Sequence, residues 1–256
     1  MGDTPYSEGE VRRLESLIDE LNAQPLAFVA HVGDITSGRG PCSDAWFEAR
    51  KKQLARIRHP FILLPGDNDW TDCHRTGFDP IERLQKWRSL FCLSGKQFLN
   101  LEMQAGPYCE HVRWEHEGVL FVALNVPGSN NNLGRTSAMD AEHEQRMSAV
   151  FEWLDESIAL AESRALAKVV VLMQADPFER HSPDGFERLR KVLATHASWL
   201  GDELVLVHGD SHIYKDDTPL PGLRRIEVWG SPVVAWLRGS VLRGALQIEA
   251  VPPSPF

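Results

Sequence analysis

The sequence has no apolar stretch close to the roughly 20 residues that a helix needs to cross a bilayer. Basic residues are also scarce, with 27 Lys and Arg against 36 Asp and Glu and a formal net charge of -9. Long nucleic acids and anionic membranes bind to basic faces, so this balance argues against both as partners. An acidic cleft attracts cations instead. We therefore expect no membrane insertion and no long nucleic acid as a ligand.

The start of the chain, MGDTPYSEGE, is polar and shows no signal peptide. The chain begins one residue before its first Gly-Asp pair, with no apolar run in front of it. This is expected if a leader or a first strand is missing from this version of the chain. A cytoplasmic location is the default expectation, and export is the alternative if a leader precedes Met1.

Cysteine is limited to four residues, none of which has C-x-x-C spacing, so a cysteine-rich zinc site is not expected. Buried or free thiols in a cytosolic protein are the favoured interpretation of Cys42, Cys73, Cys92 and Cys109. A Cys42–Cys73 disulfide is the alternative, because both residues lie in loops that follow adjacent candidate strands.

Short apolar runs alternate along the chain with segments of helical periodicity. Runs such as PLAFVAHV, FILL, KVVVLM and ELVLV are typical of strands that are buried on both faces. The alternation predicts an α/β fold with a mainly parallel sheet, to which three strand-like segments after residue 222 add antiparallel strands. No linker or internal repeat is visible, so we expect one domain over 1–256. The predicted helices are 8–22, 43–57, 80–91, 139–164 and 184–198.

Three apolar runs end in Gly-Asp, in the stretches HVGDITSG, PGDNDW and VHGDSH, and a fourth Gly-Asp opens the chain. Ligands of open α/β sheets bind at the carboxyl ends of the strands, so these aspartates are expected to meet in one cleft. Clustered carboxylates raise each other's pKa unless a cation neutralises them. A single aspartate in such a loop more often caps a helix, but capping does not explain the whole set. The set is Asp3, Asp34, Asp67 and Asp210.

In their order and strand context, these motifs resemble the calcineurin-like metallophosphoesterase family. The pattern of that family runs D-x-H, G-D-x-x-x-x-G, G-N-H-D/E, a lone His after a strand, and G-H-x-H. The resemblance extends from Asp3 to His212 and implies a two-metal phosphoesterase fold, a β-sandwich flanked by helices. Its first strand would be truncated if the chain has lost residues before Met1.

The resemblance also implies a set of metal ligands. Asp34 matches the aspartate that bridges both ions, whereas Pro5 stands at a histidine position and has no donor. The resulting set is rich in oxygen and holds one imidazole, which favours one or two ions of Mn²⁺, Mg²⁺ or Ca²⁺ over Zn or Fe. The expected ligands are Asp3, Asp34, Asp67, Asp210, His212 and the amide oxygen of Gln174.

The mechanism of the family is in-line attack on phosphorus by a metal-activated water. Asn68 takes the place of the histidine that contacts the phosphate or leaving group, and Asp69 matches the acid that orients it. Asn68 cannot protonate a leaving group, a step typically worth 10²–10⁴-fold, so His208 is a candidate substitute although a structural role is the more common one. Candidate substrate contacts are Asn68, Trp70, Asn130 and Arg135. For Asn130 and Arg135 a polar turn is an equally favoured interpretation, and for Trp70 a core or lid aromatic is.

The sequence thus predicts a metal-dependent phosphoesterase that acts on a small phosphorylated substrate. The alternative is a catalytically impaired member that binds a phosphorylated ligand or a partner protein through the same cleft. Four replacements at family histidine positions favour this alternative. All but Pro5 keep a group that can coordinate or hydrogen-bond, which favours the enzyme. The replacements are Pro5, Asn68, Gln174 and Asp210.

Overall fold

A computed structural model describes residues 1–92 and 100–251 of the chain. Four of its five longer helices begin with a side-chain cap. Ser7 Oγ accepts from the backbone N–H of Glu10, and Asp79 accepts from the N–H of Glu82. Within the described residues, no helix has the length and apolar character needed to cross a membrane. The helices are α1 (Glu8–Asn22), α2 (Asp44–Leu54), α3 (Pro80–Phe91), α4 (Ser137–Ser163) and α5 (Glu187–Leu200).

The strands form one large sheet and two smaller pairs. They are β1 (Val29–His31), β2 (Phe61–Leu63), β3 (Glu102–Met103), β4 (Val112–His116), β5 (Val119–Ala123), β6 (Lys168–Leu172), β7 (Leu204–His208), β8 (Lys215–Leu220), β9 (Leu223–Glu227), β10 (Trp236–Leu242) and β11 (Ala245–Val251). The large sheet has the order β3-β4-β5-β6-β7-β9-β8. Four adjacent strands in it are parallel to one another: β5, β6, β7 and β9. β1 pairs with β2 in parallel, and β10 with β11 antiparallel.

Helices cover both outer sides of the strands. Leu154 of α4 and Leu193 of α5 are buried in one core with Val171 of the large sheet. The opposite face of the large sheet packs on the β1–β2 pair through a second core. Helices α1 to α3 cover the outer side of β1–β2 through a third core, which includes Leu14 and Phe47. This arrangement confirms the predicted β-sandwich flanked by helices.

The edges of the large sheet differ from the prediction. Strands β3, β4 and β8 were not predicted, because each contains exposed residues and none has a continuous apolar run. Strand β9 was expected to be antiparallel, yet it pairs in parallel with β7, with Leu223 opposite Leu204. The antiparallel partner of β9 is the polar strand β8.

All four cysteines are paired, so their interpretation as free thiols is wrong. Cys42 and Cys73 form a disulfide with a Cα–Cα distance of 5.7 Å, which confirms the alternative. Cys92 and Cys109 form a second disulfide with a Cα–Cα distance of 5.6 Å, which was not predicted. The first bond joins the loop after β1 to the loop after β2, and these loops carry candidate site residues.

Candidate metal centre

Acidic side chains from separate strand ends meet in one cleft. Asp34 lies shortly after β1, Asp67 shortly after β2, and Asp210 shortly after β7. Asp3 joins them because the first residues run beside the end of β1, where the Asp3 N–H donates to the carbonyl of Gly33 at 2.9 Å. The cleft therefore lies at the carboxyl ends of parallel strands, the usual position of ligand sites in such sheets.

Asp34 lies at the middle of the hydrogen-bond network. Its Oδ1 accepts from the backbone N–H of Asn68 at 2.9 Å. Its Oδ2 accepts from the Tyr6 hydroxyl at 2.9 Å and from the Gln174 amide nitrogen at 3.2 Å. The backbone of Asp34 is left-handed, with φ of 63°, a conformation that is uncommon outside glycine and often found at functional sites.

Asp69 holds this strained turn in place. Its carboxylate accepts backbone N–H groups from Asp34 at 3.0 Å, Ile35 at 2.8 Å and Gly66 at 2.9 Å. Burial raises its pKa to about 7 in spite of these bonds. The sequence had assigned Asp69 to orient the side chain of Asn68, but its hydrogen bonds instead fix the backbone that presents Asp34.

His212 points its Nε2 towards the acids and towards the Tyr6 hydroxyl, which lies 3.3 Å away. Its Nδ1 lies 2.9 Å from the carbonyl oxygen of Ser231, which accepts a hydrogen bond, so Nδ1 carries the proton. The Nε2 lone pair then faces Asp3, whose Oδ1 is 3.8 Å away and also accepts the N–H of Asp210 at 3.1 Å. The other oxygen of Asp3, Oδ2, is buried and has no hydrogen-bond partner. Asp3 Oδ2 is therefore a buried oxygen donor that could bind a cation.

Gln174 presents the opposite end of its amide to that predicted. Its oxygen Oε1 accepts the backbone N–H of Gly128 at 2.5 Å, a contact that only an oxygen can make. Its nitrogen donates to Asp34 Oδ2 and to Asp210 Oδ1, the latter at 3.1 Å. In this arrangement the amide oxygen is not offered to the acids as a ligand.

Asp67 extends the acidic cluster towards a second carboxylate. The Ser129 hydroxyl lies 2.6 Å from Asp67 Oδ2 and 2.8 Å from Asp72 Oδ1. Arg75 and Arg135 form ion pairs with Asp72 at 2.6 and 2.8 Å. Burial and the charge of Asp67 raise the pKa of Asp72 to about 7. Ser129 begins a run of four left-handed residues, 129–132, that follows Gly128.

Glycine is required beside the acids for steric reasons. A Cβ atom at Gly66 would lie 2.0 Å from Asp34 Oδ1, and one at Gly209 would lie 2.0 Å from Asp3 Oδ2. Real Cβ atoms do not approach other heavy atoms so closely, so a side chain at either position displaces a carboxylate. Gly66 and Gly209 therefore allow the backbone of one strand end to approach the acid of another.

The charges of the cluster have no cationic side chain to balance them. Burial, followed by the charge of Asp67, raises the pKa of Asp34 and of Asp210 well above the ordinary value. Burial is also the main cause of the raised pKa of Asp3. Within the described residues, no Lys or Arg nitrogen forms an ion pair with any of these four aspartates. An isolated buried carboxylate is costly unless it is paired or coordinates a metal, so the donor set fits a divalent cation.

A second buried cluster, Asp176, His208 and Glu227, brings possible ligand atoms within 4.8 Å of one another. Lys215 Nζ lies 3.3 Å from Asp176 Oδ2 and 2.5 Å from Glu227 Oε2, and Arg225 lies 3.2 Å from Asp176. Its carboxylates are therefore already paired with cations. The cluster supports the metal-centre loop, because the Asp176 N–H donates to Asp210 Oδ2 at 3.1 Å.

Two residues predicted to act on the substrate are buried. Trp70 is 0% exposed, and the guanidinium of Arg146 lies 5.4 Å from the centre of its ring, so the ring has no face open for stacking on a base or sugar. His208 is also 0% exposed, and its Nδ1 lies 2.7 Å from the carbonyl of Gly209. Burial lowers the pKa of His208. Neither residue can reach a substrate in the cleft.

The predicted contacts from the loop after β5 are engaged within the protein. The amide nitrogen of Asn130 donates to the carbonyls of Leu133 and Pro183, both at 3.0 Å. Arg135 donates to the Thr71 carbonyl at 2.7 Å in addition to its ion pair with Asp72. Both side chains stabilise the loops around the cleft.

Arg75 is an exposed cation beside Asn68 that the sequence analysis missed. Its guanidinium donates to the Gly38 carbonyl at 3.2 Å, and its side chain is 40% exposed. A Cβ atom at Gly38 would lie 2.8 Å from Asn68 Oδ1 and 2.9 Å from Arg75 Nη1, so both groups border the same small space. Arg75 lies in a loop with no motif around it, and only the fold brings it to the cleft.

Comparison with known proteins places these features in a wider context. Residues 1–214 match the model of a family described as calcineurin-like phosphoesterase. A dimetal phosphatase from Danio rerio has a similar fold, with 14% sequence identity, a TM-score of 0.54, and a match that covers 90% of this chain and 86% of that chain. A purple acid phosphatase from yellow lupin (Lupinus luteus) seeds is 12% identical, with a TM-score of 0.49, covering 98% of this chain and 43% of that chain. No curated protein sequence matches the chain.

Proposed function

Because the chain belongs to the calcineurin-like phosphoesterase family, we propose that it is a metal-dependent phosphoesterase. Its substrate is a small phosphate monoester or diester, and its centre is the acidic cluster around Asp34. The observation that carries this proposal is the cluster of four aspartates, three of them buried (Asp3, Asp34 and Asp67), which no Lys or Arg among the described residues pairs. When bound, a divalent ion supplies an activated water and neutralises phosphoryl charge.

The carboxylates of Asp34, Asp67 and Asp210 are the groups that would hold the ion. They come from three strand ends; Asp34 and Asp67 are buried, and Asp210 is partly exposed. Oxygen donors of this kind suit Mn²⁺, Mg²⁺ or Ca²⁺ better than ions that prefer imidazole or thiolate, and Mn²⁺ is our first choice. His212 Nε2 lies beside the cluster, 3.3 Å from the Tyr6 hydroxyl.

Asn68 and Arg75 are the groups that would position the phosphate. Asn68 Oδ1 and the Arg75 guanidinium border the same space beside the cluster, and the guanidinium can donate hydrogen bonds to phosphate oxygens there. The Asn68 nitrogen donates to the Tyr6 hydroxyl at 2.9 Å, so it would have to give up that bond to donate to a phosphate. Asn68 has no proton to give to a leaving group, and His208 is too deeply buried to replace it. We therefore propose a slow enzyme, or one whose leaving group needs no protonation.

The test is turnover of an activated aryl phosphate monoester and diester by chelated protein that is resupplied with Mn²⁺, Mg²⁺, Ca²⁺ or Zn²⁺ singly. Asp34→Asn removes the central charge, and Asp19→Asn is the matched control because Asp19 lies on the surface in an ion pair with Arg56. The proposal expects ion-dependent turnover that Asp34→Asn loses and Asp19→Asn keeps. Turnover that is unchanged in Asp34→Asn would contradict it.

A catalytically impaired member that binds a phosphorylated ligand is the second candidate. The amide at Asn68, in place of a proton donor, is the observation that favours it. This candidate predicts that the protein binds a divalent ion and an unreactive phosphate ester but turns over neither aryl ester. Binding without turnover would therefore replace the enzyme by the binding protein.

A further inference from the structure

We propose that the centre holds a single divalent ion, and that the hydroxyl of Tyr6 takes the place of the second ion between Asp34 and His212. This inference rests on the metal-dependent function proposed above. It concerns how many ions the cluster accepts and which side chain sets that number.

The Tyr6 hydroxyl is bound to the groups that would otherwise hold the second ion. It donates to Asp34 Oδ2 at 2.9 Å and lies 3.3 Å from His212 Nε2. It also accepts a hydrogen bond from the Asn68 amide at 2.9 Å. An ion bound by Asp34 Oδ2 and His212 Nε2 together would lie in the space that this hydroxyl fills, since ligand distances to divalent ions are only about 2.0–2.6 Å.

Tyr6 is held in this place from both ends of the residue. Its ring packs edge-to-face on the imidazole of His212, with centroids 5.2 Å apart and planes at 71°. Its backbone N–H donates to Glu10 Oε2 at 2.8 Å, which ties the residue to the first turn of α1. The neighbouring Pro5 has no side-chain donor that could help an ion to displace the hydroxyl.

The ion position between Asp34 and Asp210, beside Gln174, differs from the position that Tyr6 fills. The Gln174 amide nitrogen now lies between Asp34 and Asp210. Rotation about the last side-chain bond exchanges nitrogen for oxygen without moving the rest of the residue. The oxygen then faces the two carboxylates as a ligand, and the Gly128 N–H loses its acceptor. A phenol has no such rotation, so Tyr6 excludes an ion while Gln174 accommodates one.

Metal counting on the full chain tests this inference. Chelated protein is titrated with Mn²⁺ by calorimetry, and bound Mn²⁺ is counted by native mass spectrometry and examined by electron paramagnetic resonance. We expect one ion per chain with the spectrum of an isolated Mn²⁺. Two ions with an exchange-coupled spectrum would overturn the inference and leave the proposed function intact. No bound ion of any kind would overturn both.

Three variants and one control locate the ion. Asp210→Asn is expected to lose the ion, whereas His212→Gln is expected to keep it, and the reverse pattern would overturn the assignment. Tyr6→Ala opens the space between Asp34 and His212 and is expected to bind a second ion. Tyr214→Ala, which removes a tyrosine outside the acidic cluster, is expected to stay at one. If folded Tyr6→Ala also stays at one ion, Tyr6 is not the excluding group and the inference is wrong.

Discussion

The Cys42–Cys73 disulfide closes the loop that contains Asp67 and Asn68, so its removal is expected to affect both stability and the site. The sequence separation of the two cysteines is 31. In the chain-entropy description of a cross-link, a loop of this length lowers the entropy of the unfolded chain by about 12 cal/mol/K, or about 3.7 kcal/mol at 25 °C. For a chain of this size, that loss lowers the Tm by roughly 7–15 °C.

The assay is denaturant and thermal unfolding of Cys42→Ser/Cys73→Ser beside Cys92→Ser/Cys109→Ser. The second pair has a sequence separation of 17, for which the same relation gives about 3.1 kcal/mol. Both double variants are expected to lose similar stability. Only the first is expected to lose phosphoesterase activity while still folded, because the loop closed by the second pair contains no side chain of the candidate centre.

Two results would refute this reasoning. Four free thiols in denatured, non-reduced protein would show that neither disulfide forms. A loss below about 1 kcal/mol in Cys42→Ser/Cys73→Ser would show that the bond does not restrict the unfolded chain as the loop-closure relation requires.

Three further predictions concern the site. Arg75→Gln is expected to raise KM about tenfold or more with little change in kcat, because a cation at the entrance of the cleft binds the substrate and the transition state equally. A lower kcat at unchanged KM would contradict this. Burial raises the pKa of Asp69 and of Asp72 from the ordinary 3.8 to about 7. Between about pH 4 and about pH 7, each acid keeps its proton in the folded protein but loses it in the unfolded chain. The metal-free protein therefore loses stability as the pH rises through this range. Its Tm is expected to be lower at about pH 8 than at about pH 5.5, and a higher Tm at pH 8 would oppose this. Gly66→Ala is expected to abolish ion binding, because the new Cβ would lie 2.0 Å from Asp34 Oδ1. The control is Gly9→Ala in α1, where a Cβ has free space; it is expected to bind the ion and to gain roughly 0.5–1 kcal/mol of folding stability. Ion binding by Gly66→Ala at wild-type affinity would count against the steric argument.

The sequence predicted the architecture because the signals for buried strands and amphipathic helices are local. The predicted bounds 8–22 and 80–91 match α1 and α3 because apolar spacing within single segments indicates each helix, and in the structure Ser7 and Asp79 cap them. The edge strands β3 and β8 escaped prediction because their side chains contact water as well as protein. Their place is fixed by pairing with distant segments.

The candidate centre was predictable as a set of aspartates but not in its detail. Gly-Asp after an apolar run predicts that acids converge, and the structure brings Asp3 and Asp34 within one hydrogen-bond network. Which end of the Gln174 amide faces that network depends on the N–H of Gly128, a contact across 46 residues of sequence. Tyr6 was overlooked because nothing in the local sequence shows that its hydroxyl reaches Asp34 and His212.

The Tm of chelated protein at about pH 8, with and without added divalent ion, tests most directly whether the acidic cluster is a cation site. At a free ion concentration of about 100 times Kd, binding to the folded state adds about 2.7 kcal/mol. For a chain of this size, that gain raises the Tm by roughly 5–11 °C. Wild-type protein is expected to show this rise with Mn²⁺, and Asp34→Asn is expected to show none. A wild-type Tm that stays the same with Mn²⁺, Mg²⁺, Ca²⁺ and Zn²⁺ would contradict the account.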